Sequence, residues 1–168
     1  MAFLNINGPI VADTAYCENV LVAKDVEFTL PEVAPVMADV EAMGTMSLPI
    51  WARLDNMEMS ITKIGLDKGL ASLLTPNLKP LEFRFPQENV DQNGKTKTVA
   101  CKAFVKGTPT TIPGIGVVPG EAVSSEVPIM VTRYQLFVDG KELFLIDRLA
   151  GVVKINGKDY ASEVQSTL

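Results

Sequence analysis

The chain has 168 residues, 47% of them apolar, and sets twenty acidic against fifteen basic side chains for a formal charge of −5, with no histidine. Its length makes one domain the default, and its charge excludes a surface that grips nucleic acid, which needs clustered Lys and Arg. The missing histidine removes the commonest general base, the commonest metal ligand and every Ser-His-Asp or Cys-His arrangement.

In chain order, "MAFLNINGPIVAD" (1–13) lacks a basic segment ahead of its short apolar stretch, so a signal peptide is not expected. No apolar run reaches the ~20 residues of a membrane helix, and no stable membrane anchoring is expected. "NVLVAKDVEFTL" (19–30) alternates as a strand does, with Val20 and Val22, then Val26, Phe28 and Leu30 on common faces. Residues 33–54 carry Pro35 and Pro49, which cannot donate to a ladder, and read as an extended arm or open hairpin bent at Met43-Gly44. "NMEMSITKI" (56–64) alternates strictly, putting Met57, Met59, Ile61 and Lys63 on one side. The spacing of Leu66, Leu70, Leu73 and Leu74, between Asp67 and Pro76, predicts one helix over 66–76. Gly69 costs that helix about 1 kcal/mol relative to alanine, so packing must hold it. Strands follow at 81–85 and 96–106, separated by the turn 89–95, and residues 107–125 read as a long loop rich in Gly and Pro.

Chemistry is sparse. Cys17 and Cys101 are too few for a disulfide framework or a structural zinc site, and read as buried free thiols. "GIGVVPG" (114–120) is no dinucleotide fingerprint, and no phosphate loop is present. Glu82 with Glu88, or Asp55 with Glu58, could pair for acid–base work, but acidic residues on solvated strands are the ordinary explanation. No catalytic residue, metal or cofactor is expected. Met43, Met46, Met57 and Met59 serve either as adaptable core filler or as a plastic surface for a partner.

The end of the chain is the most informative. Asp139-Gly140 is a strong two-residue hairpin signal, because both central residues of a type I′ turn need positive φ. Pairing outward sets Val138 opposite Lys141, Leu136 opposite Leu143 and Tyr134 opposite Leu145, a core face. The reverse face then holds Phe137, Phe144 and Ile146 among charged neighbours, to be covered by the helix or by another subunit.

At "YQLFVDGKELFLID", followed by "INGKDY", the chain resembles the tail tube proteins of contractile-tailed phages and of the related R-type bacteriocins and diffocins. The shared elements are Asp139, Gly140, Lys141 and Glu142, then Ile146-Asp147, Asn156-Gly157 with Asp159, and a terminal Leu168. Upstream, "FTLPEV" (28–33), "GTM" before "LPI" (44–50) and "FVKGTPTTIPGIGVVPGE" (104–121) extend the likeness over nearly the whole chain. The resemblance implies a mainly β (α+β) sandwich or barrel with one flanking helix, in a single tube domain spanning 1–168. Six copies would form a ring whose inner sheets join into a continuous β-barrel, and rings would stack into a hollow tube. The arm 34–54, through Met43, Gly44, Met46 and Pro49, would make the ring-to-ring contact, and 107–125 would be the variable loop.

A sheath, a baseplate and a terminator protein are the implied partners, with DNA or ions passing through the lumen without specific binding. Assembly in the bacterial cytoplasm and residence in a virion or released tail-like particle follow from the same likeness. A lumen that conducts DNA should repel phosphates, which suits the acidic balance and makes Glu126 a candidate lining residue. Two other classes stand beside this one: a small β-barrel binding module for an apolar ligand, and a hydrolase using paired carboxylates.

Overall fold

Alternating apolar and polar side chains build most of the molecule into strands. The computed structural model describes residues 5–168. The start of the segment on which the signal-peptide expectation rests lies outside the described residues. The strands come in this order: β1 (Ile6–Ile10), β2 (Thr14–Cys17), β3 (Val20–Lys24), β4 (Glu27–Thr29), β5 (Pro35–Glu41), β6 (Thr45–Leu54) and β7 (Met57–Ile64). Helix α1 (Lys68–Leu74) interrupts them. Then follow β8 (Lys79–Arg84), β9 (Gln87–Val90), β10 (Thr96–Val99), β11 (Cys101–Pro109), β12 (Ser124–Val138), β13 (Lys141–Asp147), β14 (Val152–Ile155), β15 (Lys158–Asp159) and the short helix α2 (Ser162–Gln165). Among the described residues, no helix is long and apolar enough to cross a membrane.

The main sheet runs β15-β14-β13-β12-β11-β8-β2-β3, with β7 also on β12 and β4 beyond it. β12 is its spine. One edge pairs with β11 along most of its length; the other pairs first with β7, Ser124↔Ile64 to Val131↔Met57, and then with β13. The change of partner falls at Thr132, where Lys106 pairs with Arg133 but Gly107 with Val131, leaving Thr132 as an extra residue. Such a bulge bends the strand and sharpens its twist. Two smaller units stand apart: the sheet β1-β9-β10 and the β5-β6 hairpin.

The inward stripe of β7 (Met57, Met59, Ile61) meets Leu81 and Phe83 of β8, Ala103 and Val105 of β11, and Val127, Ile129 and Val131 of β12. The sheet curls enough to bring Phe28 of β4 onto Phe83, ring centroids 4.7 Å apart. α1 closes the curl with Leu70 and Leu73, both buried. Asp67 caps α1, its carboxylate accepting from the Leu70 N–H at 3.0 Å.

Two lysines hold this helix. Lys63 continues the inward stripe of β7, donates to the Val22 carbonyl at 2.6 Å and ion-pairs with Asp67 at 3.2 Å. Lys79, only 1% exposed, donates to the carbonyls of Ser72 (2.5 Å), Leu73 (2.9 Å) and Thr75 (2.8 Å). The last turn of a helix leaves its carbonyls without partners, and a cation there satisfies them and the helix dipole together.

The structure departs from the sequence expectations at several points. The strand expected over 19–30 breaks at Asp25, whose φ is +51°. The helix is shorter than 66–76, and Leu66 lies outside it, exposed. Gly107–Pro109 belong to β11 and Ser124–Ser125 to β12, which shortens the loop to 110–123. The expected pairing of the terminal hairpin holds only for its first two rungs. Phe137 pairs with Glu142, but Leu136 pairs with Phe144 and Tyr134 with Ile146. Leu143 is a bulge, so Phe144 and Ile146 turn inward: Ile146 is buried and Phe144 stacks edge-on against Tyr134, centroids 4.9 Å apart.

Candidate assembly surface

The residues singled out from the sequence do not gather into one site. Asp139 (φ +53°) and Gly140 (φ +75°) form the hairpin turn, and Asn156 (φ +51°) and Gly157 (φ +84°) the turn before β15. The Asn156 N–H donates to the Leu143 carbonyl at 2.8 Å, which keeps the second turn beside the bulge. Lys141 is exposed beside its turn, while Glu142 accepts from the Gln135 amide at 2.6 Å. Asp147, at the far end of β13, accepts from the Leu149 and Ala150 N–H groups and ion-pairs with Arg133 at 3.7 Å. These are devices that shape the sheet.

The arm is different in kind. β5 and β6 pair from Glu41↔Thr45 down to Val36↔Ile50, and their turn carries Met43 (φ +55°) and Gly44 (φ +117°). Directly opposed residues share a face, so one face of the ribbon holds Val36 and Ile50, Ala38 and Leu48, Val40 and Met46. The other holds Met37 with Pro49, Asp39 with Ser47, and Glu41 with Thr45. Met37, Val40, Met43, Met46 and Leu48 are all exposed. A two-stranded ribbon is at best marginally stable alone, and an uncovered apolar side makes it a natural docking element. At the foot, Trp51 and Leu54 pack on the core and anchor it.

The outward face of the main sheet divides by chemistry. Over β4, β7 and the first half of β12 it presents Glu27, Thr62 and Glu126 in one row, with Thr29, Ser60 and Glu58 beside them, Ile64, Pro128 and Met130 among them, and no Lys or Arg. Across β11 and the second half of β12 it presents Lys102, Phe104, Lys106, Arg133 and Phe137, with Phe104 edge-on to Phe137 at 5.6 Å.

Neither proposed acid–base pair forms. Glu82 pairs with Arg84 at 2.7 Å while Glu88 lies in the separate three-stranded sheet, and Glu58 accepts from Asn56 at 2.9 Å. Burial pushes the thiols of Cys17 and Cys101 up, away from the nucleophilic form. Sequence reasoning missed the burial of Lys63 and Lys79 and the exposed apolar side chains of the loop 110–123. Lys63 did carry a signal, a charge at an inward position of an alternating strand.

A family model described as phage tail tube protein FII matches residues 10–168. No curated protein sequence matches the chain. Several solved structures are similar in fold. One is a chain of PVC, an extracellular contractile injection system, in its extended sheath–tube complex: TM-score 0.53, 10% identity, 77% of this chain and 90% of that one covered. Another comes from the PVC sheath/tube terminator in the extended state (0.54, 9%, 77% and 95%). A third comes from the anti-feeding prophage cap that terminates its tube (0.57, 10%, 82% and 95%).

Proposed function

The chain belongs to the phage tail tube protein FII family, and from that premise we propose that six copies close into a ring and that rings stack into a hollow tube. The observation that supports assembly is the arm, a paired ribbon whose apolar face leaves Val40, Met46 and Leu48 exposed among the described residues. Met43, Gly44, Met46 and Pro49, at its tip and along one edge, contact the adjacent ring. The terminal hairpin from Asp139 to Asp147, with the Asn156-Gly157 turn, shapes the sheet that packs against neighbours, and the whole of 1–168 acts as one tube domain.

The acidic and hydroxyl-bearing face of β4, β7 and β12 lines the lumen. Carboxylates of Glu27, Glu58 and Glu126 would repel a passing polyanion, and the absence of Lys and Arg there removes any grip on phosphate. The role is mechanical, with no catalytic step: a sheath surrounds the tube, a terminator ends it, a baseplate starts it, and DNA or ions move through. The tube is assembled in the bacterial cytoplasm and ends in a virion or a released tail-like particle. The ligand-binding alternative gains nothing from the family match.

Negative-stain microscopy of the purified protein tests the reading. Rings or tubes with a central hole are expected. Deleting 39–46 should leave folded, soluble subunits that form no tubes; a wild-type protein that stays monomeric at every concentration, even with a terminator or baseplate protein added as a seed, would overturn it.

A further inference from the structure

Among the described residues, two exposed apolar surfaces stand at opposite ends of the same strand pair. The arm leaves the start of β7, where Met57 pairs with Val131; the loop 110–123 leaves the start of β12, where Ser124 pairs with Ile64. Seven residue steps separate these rungs, roughly 23 Å of extended strand. The loop exposes Ile112, Ile115, Val117 and Val118, and Glu121 is the one charged residue in 107–125.

The arm's apolar face runs down into a cleft of about 340 Å³ at its foot, lined by Val36, Leu54 and Val153 and by Arg53, Arg148 and Asp147. Asp147 is engaged by Arg133 and by two backbone N–H groups. Neither Arg53 nor Arg148 has an ion-pair partner among the described residues. The cleft thus joins an apolar wall to two unpaired guanidinium groups, the complement of an apolar loop bearing a single carboxylate.

Resting on the tube reading above, we propose that loop 110–123 of one copy covers the apolar face of the arm of a copy in the adjacent ring, with Glu121 entering the cleft between Arg53 and Arg148. The contact is heterologous, one end of the subunit against the other end of the next. Such a contact leaves a free loop and a free arm at the two ends of any stack and so propagates into an open tube. Stacking therefore needs no second binding surface.

Charge reversal and cross-linking test this. Glu121→Arg, and Arg53→Glu with Arg148→Glu, should each raise the concentration needed for tubes about tenfold or more, and the three together should restore it to within about threefold. Glu121→Cys combined with Arg148→Cys should give a ladder of disulfide-linked chains in tubes under oxidation, and none in unassembled subunits, whose two ends lie far beyond disulfide reach. Circular dichroism melts check that each variant folds; should the reversals unfold the subunit, the cysteine pair decides.

Normal assembly of every charge variant would overturn the proposal. So would a ladder from Glu41→Cys with Arg148→Cys in place of the Glu121 pair, which would seat a neighbouring arm's tip in the cleft. Wild-type tubes with neither effect would sink this contact alone, whereas wild-type protein that forms no tubes even when seeded would sink the tube reading with it.

Discussion

Replacing Lys79 with methionine keeps the length of the stem and removes the ammonium, and so isolates what that charge does for α1. Its Nζ serves three carbonyls, at 2.5, 2.9 and 2.8 Å. A buried acceptor left unpaired costs about 1–3 kcal/mol. The bond to Leu73 is buried, while those to Ser72 and Thr75 are part-buried, so the latter two carbonyls recover some hydration in the variant. Against the loss stands the relief of no longer stripping water from an ammonium, the same burial that holds Lys79 below the usual lysine range. The balance is a loss of about 2–3 kcal/mol, or about 4–12 °C in melting temperature for a domain of this size. Urea melts followed by circular dichroism, at concentrations below assembly so that polymer formation does not mask the change, give the number. A midpoint equal to or above wild type would refute the reasoning, because it would mean that an apolar side chain serves the helix end as well as the cation does.

The phenol of Tyr134, 5% exposed, is pushed by burial up to about 12 from its ordinary 10. The folded chain keeps a proton that the unfolded chain loses in that window, so stability should fall by about 2–3 kcal/mol between those values and stay flat below them. Tyr134→Phe should remove that fall in pH-dependent melts; an unchanged curve would refute the assignment. Lys79 acts in the opposite sense: its folded value lies below 10.5, so its contribution to stability rises with pH up to that point, and Lys79→Met should lose the rise in the same melts. Asp67→Ala should cost about 1 kcal/mol for the lost cap, and more if buried Lys63 fails to find another partner. Deleting Leu143 should cost about 1–2 kcal/mol, the loss of the Leu143 carbonyl that accepts from Asn156, because Leu143 is exposed and Glu142 and Phe144 would keep their partners on β12; hydrogen exchange showing that β12 and β13 no longer pair would refute the bulge.

Sequence patterns disclosed the fold where alternation was regular and failed where one residue shifted it. Met57, Met59 and Ile61 read correctly as sharing one face because nothing interrupts the alternation over eight residues of β7, while core filler and partner surface both stayed open for the two methionines until the structure buried them. The Asp139-Gly140 turn was legible from its dipeptide, yet the strand after it was placed on the wrong face. A bulge leaves no mark on composition, and a one-residue slip inverts every side chain beyond it. The hairpin arm was legible as an element from its prolines and the Met43-Gly44 bend. Its two-faced character depended on knowing the register, which only three-dimensional pairing supplies. The loop 110–123 was visible as a loop, but its position opposite the arm was not, because that depends on which strands share a rung.

The change of partner along β12 has a mechanical consequence. The arm joins β7 through two residues, Asp55 and Asn56, and β7 lies against β12 for eight consecutive rungs. A force applied to the arm along that direction loads the whole ladder in shear, so its hydrogen bonds must give way together. The same force applied across the strands would open them one at a time. Stacked end to end along β7 and β12, as proposed above, such subunits would bear a thrust along the stack far better than a sideways blow.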